Sequence, residues 1–423
     1  DEMVRRILTG VIASGLYDNP TPASAQPIDY DAHAAVAQRA AEAGMVLLKN
    51  DAGTLPLAKK AQKIVLIGGH ADVGVLSGGG SSQVRSVGGV PVEIPLTSGP
   101  AASFARITWH NSSPLKAIRA LAPNADVSYV DGSDPVAAAT AARAADVAIV
   151  FATQWRTEAE DITSLSLPDR QDALIESVAA ANPHSIVVLE TGGPALMPWL
   201  AKVPAVIEAW YPGQRGGEAL ARLLFGDIDA SGRLPISFPR AASQLPRPKP
   251  VTPGGDAGPN AASNAGDGDA SVLAPFPVDY VEGADVGYRW YAKRGEKPLF
   301  PFGYGLSYAR LRYSGVQFAG GATPGAQVTI SNDSDRPGVA VPQLYVAAPG
   351  AQPRLAGWSR VTLAPHSRQR VTIAIDPRAL ADWSDGAWRI TAGSYALTVA
   401  SDADTPIATK TVTFAQQSIS EKR

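Results

Sequence analysis

The stretch DVAIVFA at residues 146–152 decides the fold class of this chain, because every residue after its first is apolar and the pattern scarcely alternates. That pattern is typical of a strand buried on both faces of a mainly parallel sheet. Four further runs, rich in Val and Ile, have the same character. They are IVLIGG (64–69), DVSYV (126–130), SIVVLE (185–190) and AVIEAW (205–210). These runs predict the strands of one sheet.

Helical stretches follow or separate these strands, at residues 134–145, 169–181 and 216–225. Strands that alternate with helices are the signature of a layered α/β domain. The alternation predicts an α/β sandwich with a mainly parallel sheet over residues 61–240.

The pattern changes downstream of this domain. Residues 241–305 form a Pro/Gly-rich connection, with PRPKPVTPGGDAGPNAASNAGDGD at its centre. Residues 306–415 then read as about seven short alternating strands separated by turn residues, which predicts an all-β sandwich. A frayed tail is expected over residues 416–423.

The first residues of the chain predict a helix with no neighbouring element to pack against. Val4, Ile7 and Leu8 recur at helical spacing, and a turn-rich stretch follows from Gly15. A lone amphipathic helix has nothing to pack on, so residues 1–28 are expected to be the last segment of a domain that this chain does not contain. Residues 29–60 are interpreted as a linker helix and the entry to the α/β domain.

Composition excludes several classes of protein. The 423 residues carry a formal net charge of −2 with interspersed signs, which disfavours nucleic-acid and membrane-surface binding. No uncharged apolar run reaches the roughly 18–20 residues of a bilayer span. The chain has no Cys, which excludes thiol catalysis and Cys-based zinc sites, and its five His show no metal-ligand spacing.

Candidate chemistry lies in the loop TQWRTEAEDITSLSLP that follows the strand at 146–152, because ligands bind at the carboxyl ends of parallel strands. The loop holds three carboxylates, Glu158, Glu160 and Asp161. One of them can act as a general acid or base if its surroundings move its pKa toward neutrality. The alternative interpretation is a solvated acidic loop.

Other candidates at the same edge of the sheet stay open. Glu190 ends its strand and is either a site carboxylate or a structural partner of Arg215 or Lys202. The glycine cluster after the first strand would let the backbone approach a ligand, although no Gly-Lys-Ser/Thr follows it, so a nucleotide site is not expected. His70 is interpreted as a structural residue.

An ordered series of motifs resembles the C-terminal part of glycoside hydrolase family 3 enzymes of the bacterial β-glucosidase type. The motifs are VRRILTGVIASGLYDNP, AGMVLLKNDAGTLPL, LSGGGSSQV, TEAEDITSLSLP, AAANPHSIVVLETGGPALMPWL, AWYPGQRGGEALARLLFGDIDASGRLPISFP and VGYRWY…PLFPFGYGLSY. The resemblance implies an N-terminal (β/α)8 barrel ahead of the α/β sandwich and a fibronectin type III-like domain behind it. It also implies that the opening helix ends that barrel, so that the chain is a fragment lacking the barrel and inactive alone.

The resemblance further implies a retaining mechanism without metal or cofactor. A barrel Asp attacks the sugar, and a Glu of the α/β sandwich acts as acid and then base, about 5–5.5 Å away. Glu158 takes that role in Thr157-Glu158-Ala159-Glu160-Asp161, with Glu160 as the alternative. The implied sugar-binding residues are Trp155, Ser81, Ser82 and Gln83.

Implied partners are a β-glucoside or oligosaccharide substrate and the barrel, in cis or as a second chain. The implied location is periplasmic or secreted, in polysaccharide degradation. Two alternatives stay open. One is a non-catalytic carbohydrate-binding or scaffold chain, and the other is a family 3 enzyme of different sugar specificity, such as a β-xylosidase.

Overall fold

A computed structural model describes most of the chain. The described residues are 1–22, 24–97, 99, 101–158, 160–249, 277–321 and 324–419. The chain divides into two compact units, a short one that ends at Val36 and a large one that begins at Ala37. No helix within the described ranges is long and apolar enough to cross a membrane.

The short unit contains the helix expected at the start of the chain. Helix α1 spans Glu2–Ala13, and Gly15, with φ +76°, follows its end. Its apolar side chains face solvent in this unit, where Met3 is 77% and Ile7 is 64% exposed. Helix α2 spans Tyr30–Gly44 and runs on into the large unit.

The large unit begins with a six-stranded sheet and a small antiparallel sheet. Their strands are β1 (Val46–Asn50), β2 (Lys63–Ile67), β3 (Val75–Ser77), β4 (Val92–Pro95), β5 (Arg106–His110), β6 (Asp126–Val130), β7 (Val147–Gln154), β8 (Ser185–Thr191) and β9 (Ala205–Glu208). The large sheet has the order β1-β9-β8-β7-β2-β6, and every pair in it is parallel except β1 with β9. The expected α/β sheet is therefore confirmed, and all five apolar runs lie in it.

Alternate residues of each central strand enter different cores, which explains the lack of polar alternation. In β2, Ile64 and Leu66 belong to one apolar cluster and Val65 and Ile67 to the other. The helices that cover the two faces are α3 (Pro114–Leu121), α4 (Pro135–Ala144), α5 (Gln171–Ala181) and α6 (Gly216–Leu224). Helices α3 and α6 cover one face, and α4 and α5 the other.

Several elements of this unit were not predicted, among them the three strands β3, β4 and β5 of the small antiparallel sheet. Strand β1 forms the antiparallel edge of the sheet, where residues 46–48 are buried. Helix α3 begins at Pro114 after Ser113, whose hydroxyl accepts a hydrogen bond from the backbone N–H of Lys116. A Ser N-cap followed by Pro at the first helical position is a local signal that would have revealed this helix.

The expected connection over residues 241–305 is only partly described, because residues 250–276 lie outside the described ranges. Its later part contains helix α7, Tyr288–Arg294. Phe300 then returns to the α/β domain and pairs with Phe238 by a short β-bridge. Both rings are buried in the core that α4 and α5 cover.

The last part of the chain is an antiparallel β domain. Its strands are β10 (Leu311–Ala319), β11 (Gly325–Asn332), β12 (Gly338–Ala340), β13 (Gln343–Ala347), β14 (Arg354–Trp358), β15 (Val361–Leu363), β16 (Arg368–Ala374), β17 (Asp382–Ser384), β18 (Ala387–Ile390), β19 (Gly393–Asp402), β20 (Thr405–Phe414) and β21 (Gln417–Ile419). Sheets β10-β11-β16 and β14-β13-β19-β20 enclose one apolar core. The all-β expectation is confirmed. Strand β21 pairs with β18 inside the stretch expected to be a tail.

Asp229 joins the two domains. It accepts hydrogen bonds from the hydroxyl of Ser307 and from the backbone N–H groups of Tyr308 and Val339, the last two at 2.8 Å. Burial raises the pKa of Asp229, while these hydrogen bonds lower it. A single carboxylate thus connects the end of the α/β domain to β12 and to Ser307 and Tyr308, which lie just before β10 of the β domain.

Candidate active site

Glu158 lies exposed in the loop that leaves the carboxyl end of β7. Its Oε2 accepts a hydrogen bond from the backbone N–H of Ser81 at 2.7 Å and another from the Ser81 hydroxyl. Hydrogen bonds to the charged form favour it, so the Ser81 hydroxyl and then the Ser81 N–H lower the pKa of Glu158. The structure thus brings together two predicted residues that are far apart in the sequence.

The glycine cluster allows two loops to approach each other closely. Gly79 donates its N–H to the Arg156 carbonyl at 2.9 Å. A Cβ on Gly79 would lie 2.3 Å from the Trp155 ring, and a Cβ on Gly80 would lie 2.4 Å from the Glu158 Cβ. Gly80 also has φ +79°, which disfavours other residues. These glycines therefore let the backbone approach the acidic loop closely, whereas the sequence predicted a close approach to a ligand.

A shallow cavity of about 410 Å³ opens beside Glu158. It is lined by Gly78, Gly79, Ser81, Ser82, Arg156, Thr157, Glu158 and Tyr211. Both predicted serines are exposed here with Glu158. This shallow depression at the carboxyl edge of a parallel sheet has the position expected of a ligand site.

Two other predicted residues lie beside this cavity and not in its wall. The side-chain amide of Gln83 donates to the Arg106 carbonyl at 2.7 Å and to the Thr108 hydroxyl at 2.8 Å, so it ties its loop to β5. Trp155 is half-buried against Gly79, and its indole N–H is buried without a partner among the described residues. In this structure Trp155 packs between the two loops.

Glu160, the alternative acid/base, has a different contact. Its Oε1 accepts the backbone N–H of Ala101 at 3.0 Å, and Glu160 forms a β-bridge with Thr157. Asp161 is exposed. Glu160 therefore holds a neighbouring loop, whereas the Glu158 carboxylate borders the cavity.

Sequence reasoning missed the role of Arg156. Its guanidinium donates to the Gln154 side-chain oxygen at 3.1 Å and to the Pro194 carbonyl at 3.0 Å. A Cβ on Gly193 would lie 2.5 Å from Arg156 Nη1, so this glycine provides the space for the guanidinium. Tyr211 bonds to the Gln154 carbonyl at 2.8 Å. The glycine pair directly after β8, Gly192 and Gly193, was the sequence feature that could have indicated space for a side chain such as Arg156.

Glu190 is a buried support for strand β3, which leads into the glycine cluster. Its Oε2 accepts the backbone N–H of Leu76 at 2.8 Å, and burial raises its pKa from 4.5 to about 8. The alternative in which Glu190 pairs with Arg215 or Lys202 is wrong, because those side chains pair with Glu218 at 3.0 Å and with Glu176 at 2.7 Å, respectively. The Glu190 side chain is fully buried, whereas both cations are partly exposed and pair with other carboxylates.

Glu208 is a second buried carboxyl at this edge of the sheet. It accepts hydrogen bonds from the Trp210 backbone N–H at 2.8 Å and from the Thr191 hydroxyl at 3.0 Å. Burial raises its pKa well above 4.5, and the charge of Arg156 opposes that shift. His70, by contrast, is exposed, and its ring lies edge-on to Trp109 with 4.5 Å between the centroids.

Ser81→Ala is expected to raise the pKa of Glu158 toward its ordinary value, because one of two hydrogen bonds to the charged carboxylate is lost. The titration of the Glu158 carboxyl carbon by NMR, in protein labelled with ¹³C-Glu, measures this pKa. Ser82→Ala is the matched control, since the Ser82 hydroxyl bonds to the Gly79 carbonyl and not to Glu158. An unchanged Glu158 pKa in Ser81→Ala would contradict the assignment of this hydrogen bond.

The chain matches two known domain families. Residues 45–308 match the glycosyl hydrolase family 3 C-terminal domain, and residues 340–403 match a fibronectin type III-like domain. The first match spans more than half of the chain. These matches place the chain among the glycoside hydrolases. It belongs to glycoside hydrolase family 3.

Individual relatives agree with this assignment. A β-glucosidase of Rhizobium radiobacter is 40% identical over 279 residues, which cover 62% of this chain and 32% of that protein. An exo-α-(1→6)-L-arabinopyranosidase of Bifidobacterium breve is 34% identical over 398 residues, covering 88% and 47%. The chain thus spans less than half the length of either relative.

A solved structure shows the same fold. It is that of DesR, a β-glucosidase from Streptomyces venezuelae in complex with D-glucose, with a TM-score of 0.75 and 28% identity. The likeness covers 93% of this chain and 61% of that one.

Proposed function

We propose that this chain supplies the general acid/base of a retaining, exo-acting β-glucosidase that hydrolyses terminal β-D-glucosyl residues of glycosides or oligosaccharides. Glu158 is the proposed acid/base. The observation that carries the proposal is the Glu158 carboxylate at a cavity bordered by Ser81 and Ser82, at the carboxyl edge of the sheet. The β-glucosidase names of several relatives support the choice of substrate.

The proposed mechanism needs a proton on Glu158 in its first step and none in its second. Glu158 donates that proton to the glycosidic oxygen while an Asp of a (β/α)8 barrel, in cis or on a second chain, attacks the anomeric carbon. The resulting Glu158 carboxylate then takes a proton from the water that releases the sugar. A sugar bound over the exposed Glu158 carboxylate excludes water from that carboxylate. This raises the pKa of Glu158 and favours the acid form that the first step requires.

Other parts of the proposal concern specificity and location. Because some relatives are named arabinopyranosidases, the sugar specificity stays open between several substrates. The competing substrates are β-xylosides and α-L-arabinopyranosides. A periplasmic or secreted location, in polysaccharide degradation, is proposed from the family resemblance.

The experiment is hydrolysis of 4-nitrophenyl β-D-glucoside by the enzyme that contains this chain, followed by ¹H NMR during the first minutes. The expected first product is β-glucose, which later mutarotates, and the corresponding xyloside and arabinopyranoside are expected to react more slowly. Release of α-glucose first would overturn the retaining mechanism. Faster turnover of either competing substrate would overturn the glucoside assignment.

A further inference from the structure

A second cavity, of about 570 Å³, lies where the two domains of the large unit meet. Its walls come from the second half of α2, from the segment that follows α6 and from the β domain. Three arginines line this cavity, each on a separate segment. They are Arg39, Arg336 and Arg360. We propose that this cavity is a binding site for a phosphate group, either free or carried by a sugar.

The three arginines are available to a ligand. None of them lies within ion-pair distance of a carboxylate in the described part of the chain. Arg360 donates one hydrogen bond, to the Ser231 hydroxyl at 3.0 Å, and the guanidinium of Arg336 lies 5.8 Å from the centre of the Tyr308 ring. Most of their donors are therefore free to face the cavity.

The acidic residues at the cavity are already engaged. Asp227 pairs with Lys59 at 2.5 Å, and Glu42 pairs with Arg222. Asp229 accepts the hydrogen bonds that join the two domains. Among the described residues, three arginines thus face a single carboxylate without an ion-pair partner, Asp229, so the net charge left at this cavity is positive, in a chain whose formal net charge is −2.

Arg233 carries a further positive charge near Arg360. Burial lowers the pKa of Arg233, and the charge of Arg360 lowers it further, against the opposing charge of Asp229. An anion beside Arg360 would relieve the repulsion between Arg360 and Arg233. Apolar side chains of Ile228, Pro337 and Val339 complete the wall, which strengthens electrostatic attraction by keeping water away from one side.

The donor set fits phosphate better than a carboxylate. Each guanidinium offers several N–H donors in a planar fork, and three of them on separate segments provide more donors than two carboxylate oxygens accept. A phosphate group has at least three acceptor oxygens and a charge near −2 at neutral pH. Arginine is also the side chain best suited to bidentate phosphate binding.

The test measures phosphate binding by this chain, by calorimetry at fixed ionic strength and pH 7. Inorganic phosphate is expected to bind at one site, and its affinity is expected to fall about tenfold or more in Arg336→Gln/Arg360→Gln, since charge-assisted hydrogen bonds are lost. Arg39→Gln, on an exposed helix face, provides a second variant that should fold normally and also bind more weakly. Arg378→Gln, an exposed arginine elsewhere on the β domain, should bind like the wild type.

Glucose 6-phosphate is the second ligand. Tighter binding than inorganic phosphate would support a sugar-borne phosphate, and equal or weaker binding would support free phosphate. Heat exchange that does not saturate, or that is unchanged in both arginine variants while circular dichroism shows intact folds, would overturn the proposal.

Discussion

Glu158→Gln is expected to reduce kcat/KM of the enzyme containing this chain by about 10²–10⁴-fold on glucosides with poor leaving groups, the range typical of a general acid. Glutamine has nearly the shape of glutamate and accepts the Ser81 hydrogen bonds, but it has no proton to give to the leaving oxygen. Aryl glucosides with good leaving groups need less acid assistance, so their glycosylation step should be affected less.

Azide distinguishes loss of the acid/base from loss of structure. It attacks the glycosyl-enzyme without a general base, so it should restore turnover of activated substrates by Glu158→Gln and yield β-glucosyl azide. Steady-state rates with and without azide, together with product analysis, measure this effect.

Glu160→Gln is the matched control, since it lies two residues away and its carboxylate holds the Ala101 N–H. Glutamine keeps that hydrogen bond through its carbonyl oxygen, so Glu160→Gln is expected to retain most activity without azide. If Glu160→Gln lost activity and azide rescued it, while Glu158→Gln remained active, the acid/base would be Glu160.

Glu190→Gln is expected to make the chain more stable at pH 8 than the wild type and to flatten the pH dependence of its unfolding. Burial raises the pKa of Glu190 from 4.5 to about 8 in the folded protein. Between these values the folded state holds a proton that the unfolded state has released. This contribution is fully present below about pH 4.5 and is lost as the pH rises to about 8, with a slope of about 1.4 kcal/mol per pH unit inside that window.

Glutamine suits this position because it does not ionise and its carbonyl oxygen still accepts the Leu76 N–H. Urea unfolding at several values between pH 5 and pH 8 measures the free energy of unfolding. Burial also raises the pKa of Glu208, so some of the slope should remain in Glu190→Gln.

Glu176→Gln is the control, because its carboxylate is partly exposed on α5 and pairs with Lys202. It should leave the slope between pH 5 and pH 8 unchanged. A slope in Glu190→Gln equal to that of the wild type would show that Glu190 does not carry a proton in the folded protein across this range.

Much of the α/β domain could be predicted because its signal is local. The run at 146–152 is apolar on both strand faces, and β7 is buried on both faces between two cores. The edge strand β1 was missed, since three apolar residues followed by Lys and Asn do not by themselves distinguish a strand from a buried loop. Helix α3 was missed although its Ser-Pro start was visible.

The candidate site could be predicted only in part. Glu158 follows a recognisable strand and belongs to a motif, so both position in the fold and resemblance pointed to it. Ser81 and Ser82 were named from resemblance, and the structure places them at the same cavity. Gln83 bonds to β5 instead, a contact between residues separated by more than twenty positions that no local pattern records.

The sequence by itself determined the two domain classes, the order of the main strands along the chain and the loop that carries the acidic residues, because these depend on hydrophobic periodicity and short motifs. Only the tertiary structure decided the order of strands in the sheet, and with it the contacts of Ser81 with Glu158 and of Glu190 with Leu76. These pairs are 77 and 114 residues apart. Such contacts depend on which strands become neighbours. The order of the strands is set by the burial of both faces of the complete sheet, which no single segment of the sequence specifies.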